Sequence, residues 1–467
     1  MKNIKYILPM VALFALQSCF VAKDYQRKEN EVVQEKYFRT DQIEQDSLSM
    51  ANLSWKNIFT DEKLNQYIDQ ALTNNLDVRM ALQNIEAAQA YVKLGKAAYF
   101  PTINGSAAYN YSTASLNGLQ GQVLNERQYN DQFELGASLS WEADIWGKIR
   151  SNKRAASATY LQTVAAHQAI KSNLVAGLAS MYYQLLALDE QKKIIQETIA
   201  NREQSFETIQ ALKEAGNVTE VAVKQTEAQL ISAQSMILDV DNNIKILENA
   251  FSILLGESPQ SIERSVLDAQ NIQTDLNIGL PIQLLSNRPD IMAAEYRLIN
   301  AFELTNVARS SFYPSLRLTA NGGIQSMDFD KLFNANSLFA SIVGSLTQPI
   351  LNGRQIRTQY EVSKAQQEIA LLDYKQSILI ASKEVSDALY TYQTNDAKAE
   401  LKQKEYEAYQ NATTYSEELL NYGMANYLEV LTARENALNA QLNLINTQYG
   451  KLNALVQLYK AVGGGWR

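Results

Sequence analysis

The sequence contains very little of what enzymes commonly use at their active sites. Its 467 residues include one histidine and one cysteine, which excludes a disulfide within the chain and disfavours Cys/His zinc sites and Cys/His dyads. The net charge is −8, and no basic block suggests a nucleic-acid partner. No nucleophile–base pair or metal-ligand cluster stands out. We therefore expect no catalytic residues, no metal and no cofactor, and we interpret His167 as structural.

Proline is also scarce, and its distribution is informative. The seven prolines leave residues 150–256 and 351–467 without any. Both segments are rich in Ala, Gln, Glu, Lys and Leu, which favour helix. They predict four long helices, at about residues 150–215, 219–255, 354–421 and 426–461. The first would be about 100 Å long at a rise of 1.5 Å per residue. Gly216 and Gly423 separate the helices of each pair and are predicted to form tight turns.

The chain contains one stretch twice. Residues 71–103 align with residues 284–316 at an offset of 213 without a gap, and a second similarity aligns residues 216–256 with residues 423–463 at an offset of 207. The matches include Asn74 with Asn287, Asp77 with Asp290, Pro101 with Pro314 and Val223 with Val430. Two similarities at nearly one spacing indicate a duplicated module of about 200 residues rather than a short repeat. We predict structural repeats at residues 61–270 and 271–467.

Each repeat contains an aromatic pair followed by proline, Tyr99-Phe100-Pro101 in the first and Phe312-Tyr313-Pro314 in the second. After these residues the spacing of apolar residues changes from the helical period of 3.6 residues to the strand period of 2. Four segments show this alternation, at about residues 102–111, 132–141, 315–324 and 338–348. Each has the length of a tilted transmembrane strand, with one apolar and one small polar face. Four strands are too few to close a barrel, and open edges cannot face lipid. If these strands cross a membrane, several chains must share one barrel, and three chains would supply twelve strands.

The start of the chain has the features of an export signal. Lys2 and Lys5 precede an apolar run at residues 6–16, and residues 16–19 read LQSC. This pattern predicts a signal peptide at residues 1–18 and resembles a bacterial lipobox, which would make Cys19 the lipidated first residue. The alternative is an ordinary buried cysteine. Phe20 lacks the mark of inner-membrane retention, so we expect the outer membrane. Residues 19–60 are interpreted as a lipidated, mostly extended tether.

Further motifs make the family resemblance specific. Residues 141–148 read WEADIWGK, residues 287–290 read NRPD, and residues 458–466 read LYKAVGGGW. With the lipobox and the duplication, the chain resembles TolC-like outer membrane efflux proteins of the lipoprotein branch, from Cys19 to its end. The resemblance implies a homotrimer in which long coiled helices form a periplasmic α-barrel. This α-barrel would continue into a twelve-stranded β-barrel with four strands from each chain.

The resemblance also implies partners and site residues. Such channels bind a periplasmic adaptor (membrane fusion) protein and an inner-membrane resistance-nodulation-division pump, which supplies the energy. The helix turns would contact the adaptor, through Gly216, Asn217, Val218, Gly423, Met424 and Ala425. Leu428, Glu429 and Thr432 match the segment that lines the closed periplasmic gate, although Thr432 departs from a common aspartate. Three Glu429 carboxylates would form a ring attractive to cations. Otherwise Glu429 is a solvated carboxylate or a partner of Arg434.

The function expected from the sequence is therefore passive conduction of drugs or other small molecules from pump and adaptor to the exterior. Two alternatives remain. One is an outer-membrane channel for type I protein secretion, against which the lipobox and the GGGW ending argue. The other is a non-pore periplasmic coiled-coil lipoprotein, which leaves the alternating strands unexplained. The sequence identifies neither the transported compound nor the cognate pump.

Overall fold

The computed structural model describes residues 21–27, 39, 49–118, 123, 127, 129–270, 278–279 and 281–467. Cys19 and the signal peptide predicted at residues 1–18 lie outside the described residues, as do much of the predicted tether and part of the first strand connection.

Most of the described residues are helical. They form nine α-helices, named α1 to α9 in chain order: Trp55–Ile58, Glu62–Asn74, Leu76–Ala97, Lys148–Glu214, Glu220–Leu255, Leu284–Asn287, Pro289–Ser310, Gln355–Asn421 and Tyr427–Ala461. Short 3-10 helices lie at Met50–Asn52, Leu267–Ala269, Pro281–Gln283, Phe329–Lys331 and Ala335–Ser337. The four long helices α4, α5, α8 and α9 begin and end within two residues of the predicted limits. Among the described helices, none has an apolar window of the length and hydropathy needed to cross a membrane.

Four antiparallel strands form one sheet in the order β1-β2-β3-β4. Their bounds are Thr102–Thr113, Tyr129–Glu142, Ser315–Ser326 and Leu338–Thr347. The register places one apolar row on one face, namely Ile103, Leu139, Ala320 and Ile342. The next row belongs to the opposite face and is polar, namely Asn104, Ser138, Asn321 and Ser341. Within the described part of the chain, the outer edges of β1 and β4 pair with no further strand.

The chain divides into two compact units, each built from segments of both halves of the sequence. The first contains the described residues within 1–27, 85–162 and 295–373, and it includes the sheet. The second contains the described residues within 28–84, 163–294 and 374–467, and it includes both helix turns.

The core of the second unit is aromatic. The ring of Phe59 packs edge-on against Tyr183 and Tyr459, at centroid distances of 6.4 and 6.0 Å. All three side chains are almost completely buried, and burial of the Phe59 side chain stabilises the fold by about 1.5–3 kcal/mol. Val223 and Val430, which the sequence similarity aligns, are both buried as well. The duplicated positions therefore include core positions.

In the first unit, the WEADIWGK motif joins the sheet to α4. The indole N–H of Trp141 donates to the carbonyl of Tyr99 at 2.9 Å, and that of Trp146 donates to the carbonyl of Pro314 at 2.7 Å. The Asp144 carboxylate accepts from the N–H groups of Ile149 and Arg150 at 2.8 and 2.9 Å, which caps the first turn of α4. The two tryptophans thus bind the aromatic-proline segments that the sequence duplicates.

In the second unit, the NRPD motif contacts the end of the chain. The buried Arg288 forms an ion pair with Asp290 at 2.6 Å, and it also donates to the carbonyl of Ala461 at 3.1 Å. The indole of Trp466 donates to the carbonyl of Asn287 at 3.0 Å. The two motifs are almost 180 residues apart in sequence, and they form one connected structure.

Candidate functional site at the helix turns

The two helix turns of the second unit have the same backbone geometry. Gly216 and Gly423 have φ values of +75° and +71°, in the left-handed region where glycine avoids the Cβ penalty. In each turn the glycine N–H donates to the carbonyl three residues earlier, and the next N–H donates to the carbonyl five residues earlier, at 2.8–3.0 Å. This pair of bonds is the Schellman motif that ends helices. The turn geometry predicted from these two glycines is present in both hairpins.

An apolar cluster joins the two hairpins just behind the turns. Its buried members come from three of the four long helices. They are Ile209 from α4, Val223 from α5, and Tyr427 and Leu431 from α9. Partly buried side chains pack around them, including Leu420 from α8. Because apolar burial is worth about 25 cal/mol per Å², this cluster holds the hairpins against each other. The turns are therefore fixed on a packed base.

Two arginines add polar links across the same helices. Arg202, which is 7% exposed, donates to the carbonyl of Gln229 at 2.5 Å and to the carboxylate of Glu435 at 2.6 Å. It thereby connects α4 to both α5 and α9. A buried guanidinium is stable only when its donors are used in this way. Nothing in the sequence pattern predicted this contact, because its partners are 233 residues apart.

Arg434 on α9 makes the second link. Its Nε donates to Glu417 on α8 at 2.8 Å, and its Nη1 donates to Ser205 on α4 at 2.5 Å. Arg434 is therefore not the partner of Glu429, and that interpretation of Glu429 is wrong. The Glu429 side chain makes no ion pair with any described residue.

The three predicted gate residues share the exposed face of α9. Leu428 is 50% exposed, and Glu429 and Thr432 are also exposed. Their neighbours Tyr427 and Leu431 point into the apolar cluster. This separation follows from the helical period, which places residues i, i+1 and i+4 on one side. A single chain leaves the three side chains free for contacts outside it, and their role in gating stays a prediction.

The residues predicted to contact the adaptor differ in how accessible they are. Met424 is 74% exposed, and Asn217 is exposed in the first turn. Val218 instead packs against the apolar cluster, and Ala425 is half-buried. Tyr422, which directly precedes Gly423, is 81% exposed. Beside the two turn glycines, the large exposed apolar side chains are Tyr422 and Met424 of the second turn. Contact with an adaptor stays a prediction.

His167 lies within α4 and is half-buried. Burial, together with the nearby charge of Lys171, lowers the pKa of His167 below its usual value. No group of three or more His, Cys, Asp and Glu side chains in the described part of the chain is arranged to hold a metal ion.

The sequence profile of the outer membrane efflux protein family matches residues 67–257 and 280–464. The chain is 29% identical to the cation efflux system protein CusC of Escherichia coli O6:H1 over 462 residues, covering 99% of each chain. It is 30% identical to the solvent efflux pump outer membrane protein SrpC of Pseudomonas putida over 465 residues, covering 98% of each.

The structure is similar to a crystal structure of CusC from work on the conformational changes that accompany folding and transmembrane channel formation. The TM-score is 0.85 at 28% identity, and the match covers 95% of this chain and 99% of the other. The predicted fold class is confirmed: the chain has the fold of trimeric outer-membrane channels, with long helices and four strands from each chain. Because the family profile matches most of the chain in two consecutive segments, the chain belongs to the outer membrane efflux protein family.

Proposed function

We propose that this outer membrane efflux protein is the exit duct of a tripartite system, which receives its cargo from a periplasmic adaptor and an inner-membrane resistance-nodulation-division pump. The pump supplies the energy, so the proposed duct needs no catalysis of its own. The observation that supports the adaptor contact is the pair of matching glycine turns, which the apolar cluster fixes in place. Exposed Tyr422 and Met424 offer apolar surface at the second turn. Exposed aromatic and methionine side chains on a rigid base are typical of contact sites.

The proposed gate uses the exposed face of α9. In a trimer, three copies of Leu428 would pack as an apolar constriction, while Glu429 and Thr432 would line the mouth with polar groups. Since Glu429 is free of Arg434, its charge is available to attract cations. Opening while the apolar cluster behind the turns stays intact then requires the two hairpins of each chain to move outward together, because Tyr427 and Leu431 of α9 pack against Ile209 and Val223 of the first hairpin.

The pump, and not the duct, selects the cargo in the proposed system. The two relatives are named for cations and for solvents, and both match this chain along almost its full length. One architecture therefore serves chemically different cargo in its relatives. We infer that the duct is permissive and that the pump selects what is exported.

The proposed membrane attachment has two parts. The apolar face of the sheet contacts lipid after three chains complete the barrel, and a lipid on Cys19 adds an anchor at the start of the mature chain. Covalent acylation adds about 0.8 kcal/mol of membrane affinity per buried CH₂.

The experiment is single-channel recording of the purified Cys19→Ser protein in a planar bilayer, with the oligomer mass measured in the same detergent. We expect a trimer that gives discrete conductance steps. A monomer without steps that stays in solution without detergent would overturn the duct, and the non-pore scaffold would replace it. A trimer that conducts but co-purifies from its host with an ABC-type exporter would instead favour type I secretion.

A further inference from the structure

The polar face of the sheet carries one aromatic side chain among the residues of the four strands. In the pairing of β3 with β4, Phe339 lies opposite Gly323, and Gly323 lies opposite Gly136 on β2. Two residues along, the same face carries Ser138 and Asn321. Phe339 is therefore on the polar face of the sheet, where small polar residues dominate.

The ring of Phe339 lies over a patch of bare backbone. A Cβ placed on Gly136 would come within 3.7 Å of the ring's Cζ atom, so the ring extends from β4 across β3 to β2. Gly323 has no room for a side chain, because a Cβ there would collide with the backbone of Leu135 and Gly136. An aromatic ring packed over glycines on neighbouring strands stabilises a sheet. The ring is only half-buried, so part of its surface stays open.

A carboxylate approaches the same patch. The Oε1 atom of Glu134 lies 3.6 Å from the Cβ position on Gly136, so Glu134 and Phe339 meet above one glycine. The Glu134 side chain forms no hydrogen bond or ion pair with the described part of the chain. The other charged side chains on this face of the strands, Glu142 and Arg317, are paired with each other at 3.3 Å. Among the described residues of the sheet, Glu134 is thus the charged side chain on this face that has no partner.

We propose that Phe339 and Glu134 form a subsite for organic cations that carry an aromatic or apolar group. The face of an aromatic ring attracts a cation within about 6 Å of its centroid, and a nearby carboxylate adds Coulomb attraction. Gly136 and Gly323 keep the wall flat, so a ring-sized ligand can reach both groups. The subsite rests on the proposed duct, because closure of the shared barrel is what turns this face into the channel wall.

The subsite lies near the loop end of the sheet. Phe339 is the second residue of β4, and Gly323 is three residues before the end of β3. The helices continue from the opposite end of the strands. A cation leaving the duct would therefore meet the subsite last, and a trimer would present three copies. An aromatic anion would be repelled by the carboxylate at the same place.

Saturation-transfer NMR on the detergent-solubilised trimer would test the subsite. The probes are phenyltrimethylammonium and benzenesulfonate, which share a ring and carry opposite charges. We expect the cation to bind and the anion to give little transfer. Phe339→Leu and Glu134→Gln should each weaken cation binding roughly fivefold, the size that one lost cation–π or charge contact supports. Val343→Ala, a change of an apolar residue on the same face of β4, should leave binding unchanged.

Equal affinity for the cation in the original chain and both variants would overturn the subsite, as would equal binding of benzenesulfonate. Should Phe339→Leu fail to form trimers, Glu134→Gln decides the matter, because it leaves the ring and its packing unaltered. Failure of the original chain to form a conducting trimer would instead overturn the duct itself. The two failures are therefore distinguishable.

Discussion

The guanidinium of Arg202 on α4 donates a 2.6 Å hydrogen bond to the carboxylate of Glu435 on α9, which lies 233 residues later in the chain. The same guanidinium bonds the carbonyl of Gln229 on α5. One side chain therefore connects three of the four long helices a short distance behind the turns. The Arg202 contacts therefore stabilise the helices beside the proposed gate, and they do not cover the exposed face of α9 that carries Leu428 and Glu429.

Removal of Arg202 should loosen the turns locally. Arg202→Ala removes the guanidinium donor from the Gln229 carbonyl and from the Glu435 carboxylate. Because Glu435 is 42% exposed and also accepts from Asn439, we expect a loss of about 1 kcal/mol. Hydrogen exchange should show faster exchange at the two turns and unchanged exchange near the Phe59 core. Lys404→Ala removes one side of an exposed ion pair on α8 and should change neither region. Equal exchange in Arg202→Ala and the original chain would contradict the proposed link.

The double variant Leu428→Ala with Glu429→Gln should leak. Loss of the leucine removes the apolar contact that narrows the mouth, and loss of the charge removes the ring of carboxylates. Single-channel recording should show longer open times and larger current than the original chain. The matched control is Leu238→Ala with Asp239→Asn, an exposed apolar-acidic pair on α5. The assignment of the gate fails if both double variants conduct alike.

Met424 should lie against the adaptor in cells. A photo-crosslinking amino acid at position 424 should capture an adaptor of the membrane fusion class, identified by the masses of its peptides. The control position is Met327, which is 71% exposed in the connection between β3 and β4. We expect no adaptor at position 327. An ABC-type exporter captured at position 424 would support the type I secretion alternative, and capture of neither class would remove the turn from the adaptor contact.

Asp61 should make stability depend on pH. Burial alone raises the pKa of Asp61, but hydrogen bonds from Ser265, the Leu64 N–H, Gln270 and Tyr182 outweigh it and hold the pKa below its usual value. A lowered pKa means that the stabilisation is present above the unfolded-state pKa of about 3.9 and is lost as pH falls through the folded-state pKa. Asp61→Asn keeps the Oδ1 acceptor that caps α2. It replaces Oδ2, the acceptor for Ser265 and Gln270, so it removes the charge together with those two hydrogen bonds.

The measurement is the thermal unfolding midpoint of Asp61→Asn and of the original chain at pH 7 and pH 3. The variant should unfold at a lower temperature at pH 7, and the difference should shrink at pH 3. Glu62→Gln makes the same change of charge on an exposed neighbour, and its difference should stay small at both values. A difference for Asp61→Asn that is equal at both pH values would rule out this role for the carboxylate.

The sequence by itself determined the elements of this protein. The proline-free segments predicted α4, α5, α8 and α9 to within two residues, because helix limits depend on local composition and on glycine at the turns. The alternation of apolar and polar residues predicted four strands and which of their faces is apolar, although β2 begins at Tyr129, three residues earlier than expected. The motifs and the duplication together indicated the family.

Only the tertiary structure decided which distant residues meet. It paired Arg202 with Glu435, linked Arg434 to Ser205 and to Glu417 rather than to Glu429, and laid the Phe339 ring over Gly136 on β2. Local periodicity specifies which face a residue occupies, but the spacing of residues along a chain carries no record of a partner more than 200 positions away. Such contacts depend on how long helices and paired strands align when they pack, and they are the ones that build the proposed gate support and the proposed cation subsite.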